Sequence, residues 1–247
     1  MLARRVSLLW LVLVLGLALT GCGSNIAGAG TLARTANMPG SSDSQGGADS
    51  DAAADFTAGL LPAGQFGPDA VADPLSAADQ VDSDRRQLPE GTVFSDPACA
   101  TASEPAPPDP DVYAGQSVVL GLRRLYVQTV QSPFEGTPQD PRTYAGGLGQ
   151  CQSGTVTLPN GTIVSIAFSA LDVGDLGDLS GGRRMDSTAV TPDGQKFVTT
   201  MLSADVVDGE RVVSLGMLSL VPNQPVDEVG FRELVATAYE YQHEALG

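Results

Sequence analysis

Short apolar segments separated by turn residues dominate the C-terminal half of the chain. Thr155–Leu158 precedes the turn Pro159-Asn160-Gly161, and the alternating segment Ile163–Phe168 follows it. An Asn-Gly pair readily adopts the positive φ angles of a two-residue hairpin connection. The pattern therefore predicts two antiparallel strands joined by a tight turn at Asn160-Gly161.

Two further turns continue this pattern toward the C-terminus. Pro192-Asp193-Gly194 separates Ser187–Val190 from Lys196–Ala204, and Asp208-Gly209 separates that second segment from Val212–Leu220. Because both connections are short and contain glycine, each favours an antiparallel pair. Together the segments predict an antiparallel meander.

An earlier apolar segment, Val118–Val130, is rich in β-branched and aliphatic residues. Arg123 and Arg124 interrupt its period. The segment predicts either one bent strand or a strand with a bulge.

The pattern changes to a helical period at the C-terminus, where Pro225 and Asp227 mark the start of a helix. The apolar residues that share one face of this predicted helix are Phe231, Leu234, Val235, Ala238, Tyr241 and Ala245. The charged residues fall largely elsewhere, which indicates an amphipathic helix. Shorter helices are predicted over Phe56–Leu61 and Leu75–Asp84.

Strands framed by helices at the chain ends indicate an α+β fold. We expect a single domain over residues 55–247, in which an N-terminal helix and a long C-terminal amphipathic helix flank the antiparallel meander. Residues 22–54 are mostly Gly, Ala, Ser and Asp with few large apolar side chains, a composition typical of a disordered tether.

The N-terminus has the three parts of an export signal. Arg4 and Arg5 precede the apolar stretch Val6–Leu19, which is shorter than the about 20 residues that span a bilayer core. Leu19-Thr20-Gly21-Cys22 resembles the lipobox of bacterial lipoproteins. The resemblance implies that residues 1–21 are removed and that Cys22 is lipidated. The alternatives are cleavage elsewhere and an uncleaved anchor.

A lipidated Cys22 would place the protein on the outer face of the cytoplasmic membrane, with the membrane as its first partner. Several acyl chains on one residue give stable attachment. Of the three cysteines, Cys99 and Cys151 then remain, and in an exported protein two such residues predict a structural disulfide. Two free thiols are the alternative.

The charge of the chain narrows the choice of partners. The formal net charge is −16, from 13 basic and 29 acidic side chains, and loss of Arg4 and Arg5 would make the mature chain more acidic still. Nucleic-acid binding is therefore not expected. Anionic lipid headgroups are repelled too, so attachment to the membrane depends on the acyl anchor.

Catalytic motifs are scarce in this sequence. His243 is the only histidine, which leaves no histidine-rich metal site, and on the terminal helix it is expected to face solvent. Gly115-Gln116-Ser117 is followed by two valines, which breaks the nucleophile-elbow pattern. The sequence therefore predicts no enzyme, no cofactor and no metal centre.

Two charged groups merit attention. Asp172, Asp175 and Asp178 recur every third residue, unlike the alternate ligands of an EF-hand, so a solvated loop or short helix is favoured over a calcium site. The pairs Arg123-Arg124 and Arg183-Arg184 could bind anionic groups. Internal ion pairs are the simpler interpretation in so acidic a chain.

Several features carry a family resemblance: Leu60-Leu61-Pro62, Pro97-Ala98-Cys99, a second cysteine at Cys151, the β-hairpins, and the terminal Phe231-Arg232-Glu233-Leu234-Val235 helix. Together they resemble the actinobacterial sensor-type domain, found as the extracellular part of PknH-type receptor kinases and in many mycobacterial lipoproteins. The resemblance implies a helix-flanked antiparallel sheet with a ligand-binding cleft. It implies no catalytic residues.

We therefore expect a non-catalytic, sensor-like module of the cell envelope that binds a small-molecule, lipid or protein ligand. The natural place for its site is a cleft between the terminal helix and the sheet. One alternative is a lipid carrier, with a cavity lined by apolar side chains of Lys196–Leu220. A less favoured alternative is a hydrolase that uses Asp172 and Asp175.

Overall fold

The computed structural model describes residues 55–84, 89–96, 108–133 and 153–247. The strands of this part, in chain order, are β1 (Ala70–Pro74), β2 (Val93–Phe94), β3 (Tyr113–Leu120), β4 (Arg124–Gln131), β5 (Ser153–Thr157), β6 (Ile163–Leu171), β7 (Leu179–Val190), β8 (Lys196–Asp208) and β9 (Arg211–Ser219). The α-helices are α1 (Ala77–Asp84) and α2 (Glu228–Leu246), and the 3₁₀ helices are Phe56–Gly59, Ala63–Gln65 and Pro110–Val112.

All these strands form one antiparallel sheet in the order β1-β3-β4-β9-β8-β7-β6-β5-β2. The meander predicted for the C-terminal half is confirmed as β5 to β9, where each strand pairs with the next. The β3–β4 hairpin extends the sheet because β4 pairs with β9. With helix α2 packed at the chain end, the predicted α+β class is confirmed.

The turns between these strands differ in one respect from the prediction. Leu158 and Thr162 close the first hairpin, so its loop contains three residues rather than two. Gly161 has a φ of 80°, whereas Asn160 is not in the left-handed region. Its side-chain Oδ1 accepts a hydrogen bond from the Thr162 amide instead. A type I turn followed by a left-handed glycine is the usual geometry for a loop of this length.

The prediction of one strand over Val118–Val130 is wrong. The structure divides this segment into β3 and β4, which are joined by a turn at residues 121–123. Gly121 has a φ of 57°, and the Arg123 amide donates to the Leu120 carbonyl. Arg123 is therefore the last residue of the hairpin turn, and Arg124 is the first residue of β4.

Buried apolar side chains lie on both faces of the sheet. Helix α2 covers one face, which we call the helix face; Tyr126, Leu202 and Met217 belong to its cluster. The other face, which we call the far face, has its own cluster with Leu125, Met201 and Leu218. Successive side chains along each strand therefore point alternately to the helix face and to the far face.

Helix α2 begins where the sequence predicted. Asp227 caps it by accepting a hydrogen bond from the Gly230 amide at 2.9 Å. Phe231, Val235 and Ala238 are buried against the helix face, as expected. The last turns of the helix differ from the prediction. Gln242 is buried there, whereas Tyr241 and Ala245, predicted on the apolar face, are exposed.

The other predicted helices are shorter than expected. The segment Phe56–Leu61 forms only the 3₁₀ helix Phe56–Gly59. Helix α1 begins at Ala77 rather than Leu75, because Ser76 caps it: its hydroxyl accepts from the Asp79 amide, and Asp79 accepts from the Ser76 amide and hydroxyl. The edge strands β1 and β2 were not predicted from the sequence pattern.

Candidate functional site

An open cleft of about 570 Å³ lies at the β1 edge of the sheet. Leu60 and Leu61 form one wall, residues 72–77 form the second, and residues 113–116 at the start of β3 form the third. Asp73, Pro74 and Ser76 at its rim are exposed, so the cleft opens to solvent. Its size is in the range of small-molecule sites.

Two buried glutamines fix the wall that contains Leu61. Gln116 and Gln128 lie directly opposite each other on β3 and β4. The Gln128 Oε1 accepts from the Leu61 amide at 2.9 Å and from the Gln116 Nε2 at 2.8 Å. The Gln116 Nε2 also donates to the Leu61 carbonyl at 2.8 Å. The side-chain amides thus bond both backbone groups of Leu61, as a neighbouring strand would.

The floor of the cleft depends on a glycine. A Cβ at Gly115 would fall on the Tyr113 phenol and 2.9 Å from the Leu75 carbonyl oxygen. That close approach also allows the Leu75 amide to donate to the Gly115 carbonyl at 2.8 Å. Any side chain at this position would therefore separate the Leu75 segment from β3.

The side chains that line the cleft set its chemistry. Its wall is mainly apolar, through Leu60, Leu61 and Leu75, with a few polar groups at the rim. The Ser76 hydroxyl is engaged in the cap of α1, where it donates to Asp79 at 2.7 Å. Among the described residues that line the cleft there is neither histidine nor cysteine. Mainly apolar walls with a few polar groups are the usual lining of small-molecule pockets.

The cleft lies at the β1 edge of the sheet, whereas the sequence predicted a cleft between the terminal helix and the sheet. Phe231, Val235 and Ala238 fill the space between α2 and the sheet. Gly59 brings the N-terminal segment against the end of α2, where a Cβ would lie 2.8 Å from Leu246 and 3.1 Å from Gln242. The lining of the cleft includes no residue of Lys196–Leu220, which was proposed to line a carrier cavity; its Val, Leu and Met side chains contribute to the clusters on both faces.

Three predicted residues cannot be placed. Cys22, Cys99 and Cys151 lie outside the described residues, so lipidation and the disulfide stay predictions. The signal segment 1–21 and the tether over residues 22–54 lie outside them too. In the ranges that the structure describes, no helix is long and apolar enough to cross a membrane.

The three aspartates lie in the exposed loop between β6 and β7, as the favoured interpretation stated. Asp172 Oδ1 accepts from the Gly174 amide at 3.0 Å, and Asp178 Oδ2 accepts from the Gly209 amide at 2.8 Å. Two of the carboxylates therefore stabilise turns. The described residues contain no group of three His, Cys, Asp or Glu side chains able to hold one metal ion.

His243 faces solvent, as predicted, with 55% of its side chain exposed. Its Nδ1 lies 3.0 Å from Asp208 Oδ2, which also accepts from the Gln242 Nε2 at 2.9 Å. Burial raises the pKa of Asp208, but the hydrogen bonds from His243 and Gln242 and the charge of Arg211 outweigh it and lower the pKa overall. This contact ties the end of α2 to the β8–β9 turn.

The two members of one arginine pair have different surroundings. Arg184 points to the helix face, where its guanidinium pairs with Asp186 through two hydrogen bonds of 2.7 and 2.8 Å and with Glu228 at the start of α2. The predicted internal ion pair is confirmed for Arg184. Arg183 points to the far face, where it is buried.

Asp186 gives this ion pair a defined pH dependence. Burial raises its pKa, but hydrogen bonds from Arg184 and Thr200 and the charge of Arg184 outweigh it, so the pKa lies below its usual range. The contribution of Asp186 to stability is therefore present above its unfolded-state pKa of about 3.9 and is lost as the pH falls through the folded-state pKa.

Urea unfolding of the wild type and of Asp186→Asn should show this dependence directly. We expect the wild type to be more stable by a constant amount between about pH 7 and pH 5, and the difference to narrow below about pH 4. Asp175→Asn, which removes a carboxylate from an exposed loop, is the control for the change of charge. A difference that widens in acid would show that the sign of the Asp186 shift is wrong.

Sequence reasoning missed the glutamines of the cleft. Gln116 and Gln128 occupy inward positions of strands whose neighbours on the same face, Val118 and Tyr126, are buried apolar residues. A polar residue at an apolar position of a strand is the signal that could have found them.

Comparison with known proteins does not assign the chain to a family. No family model matches the chain, and no curated protein matches it. Its fold is similar to an X-ray structure of an uncharacterised protein from Mycobacterium smegmatis, an Rv0999 ortholog. The similarity has a TM-score of 0.47 and 20% sequence identity and covers 76% of this chain and 97% of the other.

Proposed function

We propose that this protein is a non-enzymatic binding module of the bacterial cell envelope, which takes a small, largely apolar ligand into the cleft at the β1 edge. The single observation that supports the proposal is the cleft itself, about 570 Å³ in volume with leucine walls and a rim open to solvent. Sites of this size with mainly apolar walls are typical of small-molecule binding.

The rigidity of the cleft strengthens this proposal. Hydrogen bonds from Gln116 and Gln128 hold Leu61, and the capped helix α1 holds Ser76. A ligand would therefore meet walls that are already in place, which reduces the conformational entropy lost on binding.

The location of the module is part of the proposal. Lipidation at Cys22 would attach it to the outer face of the cytoplasmic membrane, and the tether over residues 22–54 would let the domain move away from the surface. The resemblance to the actinobacterial sensor-type domain supports the same setting. An acidic domain is not drawn to anionic lipid, so its ligand would reach the cleft from the envelope space.

Filling the cleft should abolish ligand binding. Ala72 lines the cleft, whereas Val71, the preceding residue on β1, is 61% exposed and points the other way. We expect native mass spectrometry of the full chain, purified from the envelope of an actinobacterial host, to show a recurring bound mass. Ala72→Phe should lose this mass, and Val71→Phe, the matched control, should keep it.

Two results would overturn the proposal. One is a single ligand-free mass for the wild-type protein, since the cleft would then hold nothing in its own environment. The other is retention of the bound mass by Ala72→Phe with an unchanged melting temperature. Fragmentation of the bound molecule would decide between an apolar ligand and the polar or peptide alternatives.

A further inference from the structure

Five aspartates surround the cleft at the β1 edge. Asp73 is one of the lining residues and lies at the exposed rim. Each of the others lies within two residues of a residue that lines the cleft; they are Asp55, Asp79, Asp109 and Asp111. All five side chains belong to exposed residues, so the mouth of an otherwise apolar cleft is ringed by carboxylates.

Hydrogen bonds fix two of these carboxylates beside the cleft. Asp55 accepts from the amide of Thr57 at 3.0 Å, and Asp79 accepts from the hydroxyl of Ser76 at 2.7 Å. Thr57 and Ser76 both line the cleft. Because an amide and a hydroxyl are neutral donors, these bonds hold the carboxylates in place without cancelling their charge.

None of the five carboxylates forms an ion pair with a residue that the structure describes. The described lining of the cleft contains no Lys, Arg or His. Arg124 pairs with Leu120, at the other end of β3 from Gly115, and Arg123 lies in the turn before it. The other basic residues of the described ranges lie on β7, β8, β9 and α2. The charge at the mouth of the cleft is therefore of one sign.

An apolar cleft with negative charge at its mouth favours a ligand with two parts. Walls of low dielectric focus the field of the rim charges, which raises the local concentration of cations. The side chains of Leu60, Leu61 and Leu75 offer apolar surface on which a ligand is removed from water. A neutral apolar molecule gains only the second contribution, and an anion is repelled.

Asp73 is the carboxylate best placed to contact such a ligand. It lies on β1, the edge strand of the sheet, and among the described residues no hydrogen bond or ion pair engages its side chain. A carboxylate accepts hydrogen bonds, whereas an ammonium group donates up to three. Bonds between two such charged groups are shorter and stronger than those between neutral groups.

We propose that the ligand of the cleft is a cationic amphiphile, a small molecule with an apolar body and an ammonium group. The body lies against the leucine walls, and Asp73 accepts a hydrogen bond from the ammonium group at the rim. The other four carboxylates add to the attraction at longer range. This inference rests on the function proposed above, because it names the chemical class of ligand for the same cleft.

Titration calorimetry of the full chain tests this ligand class with four simple probes. Hexylammonium combines the body and the charge, hexanol has the body alone, hexanoate has the opposite charge, and methylammonium lacks the body. We expect hexylammonium to bind about tenfold more tightly than hexanol, and the other two probes to bind more weakly than hexanol. The advantage over hexanol should shrink at high salt, because mobile ions screen the rim charges.

Substitutions at Asp73 separate charge from packing. Asp73→Asn should reduce the affinity for hexylammonium toward that for hexanol and leave the affinity for hexanol unchanged. Asp73→Lys should weaken hexylammonium and strengthen hexanoate, whereas a variant that only disturbed the cleft would weaken every probe. Asp175→Asn is the matched control, since it removes the same charge from the exposed β6–β7 loop, and β7 is four strands from β3. It should keep the wild-type affinities.

The proposed ligand class is wrong if hexylammonium does not bind, or if hexanol or hexanoate binds as tightly. It is also wrong if Asp175→Asn weakens hexylammonium as much as Asp73→Asn does, because the overall charge of the domain would then attract the cation. Failure of the function proposed for the cleft gives a different result: the protein from the envelope has no bound mass, or Ala72→Phe keeps it. A neutral or anionic bound molecule that Ala72→Phe loses would retain the cleft as the site and overturn only the cationic class.

Discussion

Phe231→Ala should lower the free energy of unfolding by about 3–5 kcal/mol, the usual range for removal of a buried aromatic ring. Phe231 is 3% exposed and packs in the cluster between α2 and the sheet. The helix spans 19 residues and uses its buried side to contact the sheet and the N-terminal segment. Phe231 is the first residue of that buried side. Urea unfolding followed by circular dichroism measures the loss.

Val229→Ala is the control for this experiment. Val229 lies on the same helix but is 61% exposed, so we expect a change within about 0.5 kcal/mol. If both substitutions cost the same, helix propensity rather than burial would govern the effect. The packing of α2 on the helix face would then contribute less than the structure indicates.

Gln128→Leu should destabilise the protein by about 2–4 kcal/mol, although leucine is apolar and of similar size. Gln128 is fully buried, and its Oε1 accepts from the Leu61 amide and the Gln116 side chain. Without that oxygen the Leu61 amide and one of the two N–H groups of the Gln116 side chain remain buried with no acceptor, and each such group costs about 1–3 kcal/mol. Chemical denaturation measures the change in the free energy of unfolding.

A double-mutant cycle distinguishes the hydrogen-bonded network from simple packing. Gln116→Leu removes one of the donors that Gln128→Leu leaves unsatisfied, so the double variant should cost less than the two single variants together. Strictly additive costs would show that the two glutamines act independently. Since Leu61 forms a wall of the cleft, Gln128→Leu should weaken ligand binding as well.

The hairpins show how far local chemistry reaches. Turn residues placed the connections at Gly161, Gly194 and Gly209, and each glycine has a φ between 60° and 82°. The number of residues in a hairpin loop could not be predicted in the same way. The pairing of Leu158 with Thr162 makes the Asn160 turn one residue longer than its dipeptide suggests, because the Asn160 side chain bonds the Thr162 amide.

The cleft and the surroundings of the two neighbouring arginines could not be predicted from the sequence. Gln116 and Gln128 are twelve positions apart, and their contact follows from the β3–β4 hairpin, which was expected to be one strand. Arg183 and Arg184 are adjacent and of the same residue type, yet Arg183 lies over the Phe168 ring and Arg184 binds Asp186. Their difference comes from the alternation of β7 between the two faces of the sheet.

Local sequence patterns are enough to predict the α+β class, the meander from β5 to β9 and the capped terminal helix, because these features depend on residues that are neighbours along the chain. It also predicts the export signal and the lipidated Cys22 through local motifs. The local patterns do not predict which polar residues become buried together. Those contacts arise from the pairing of β4 with β9 and of β7 with β8, and long-range register is set by the packing of the whole sheet.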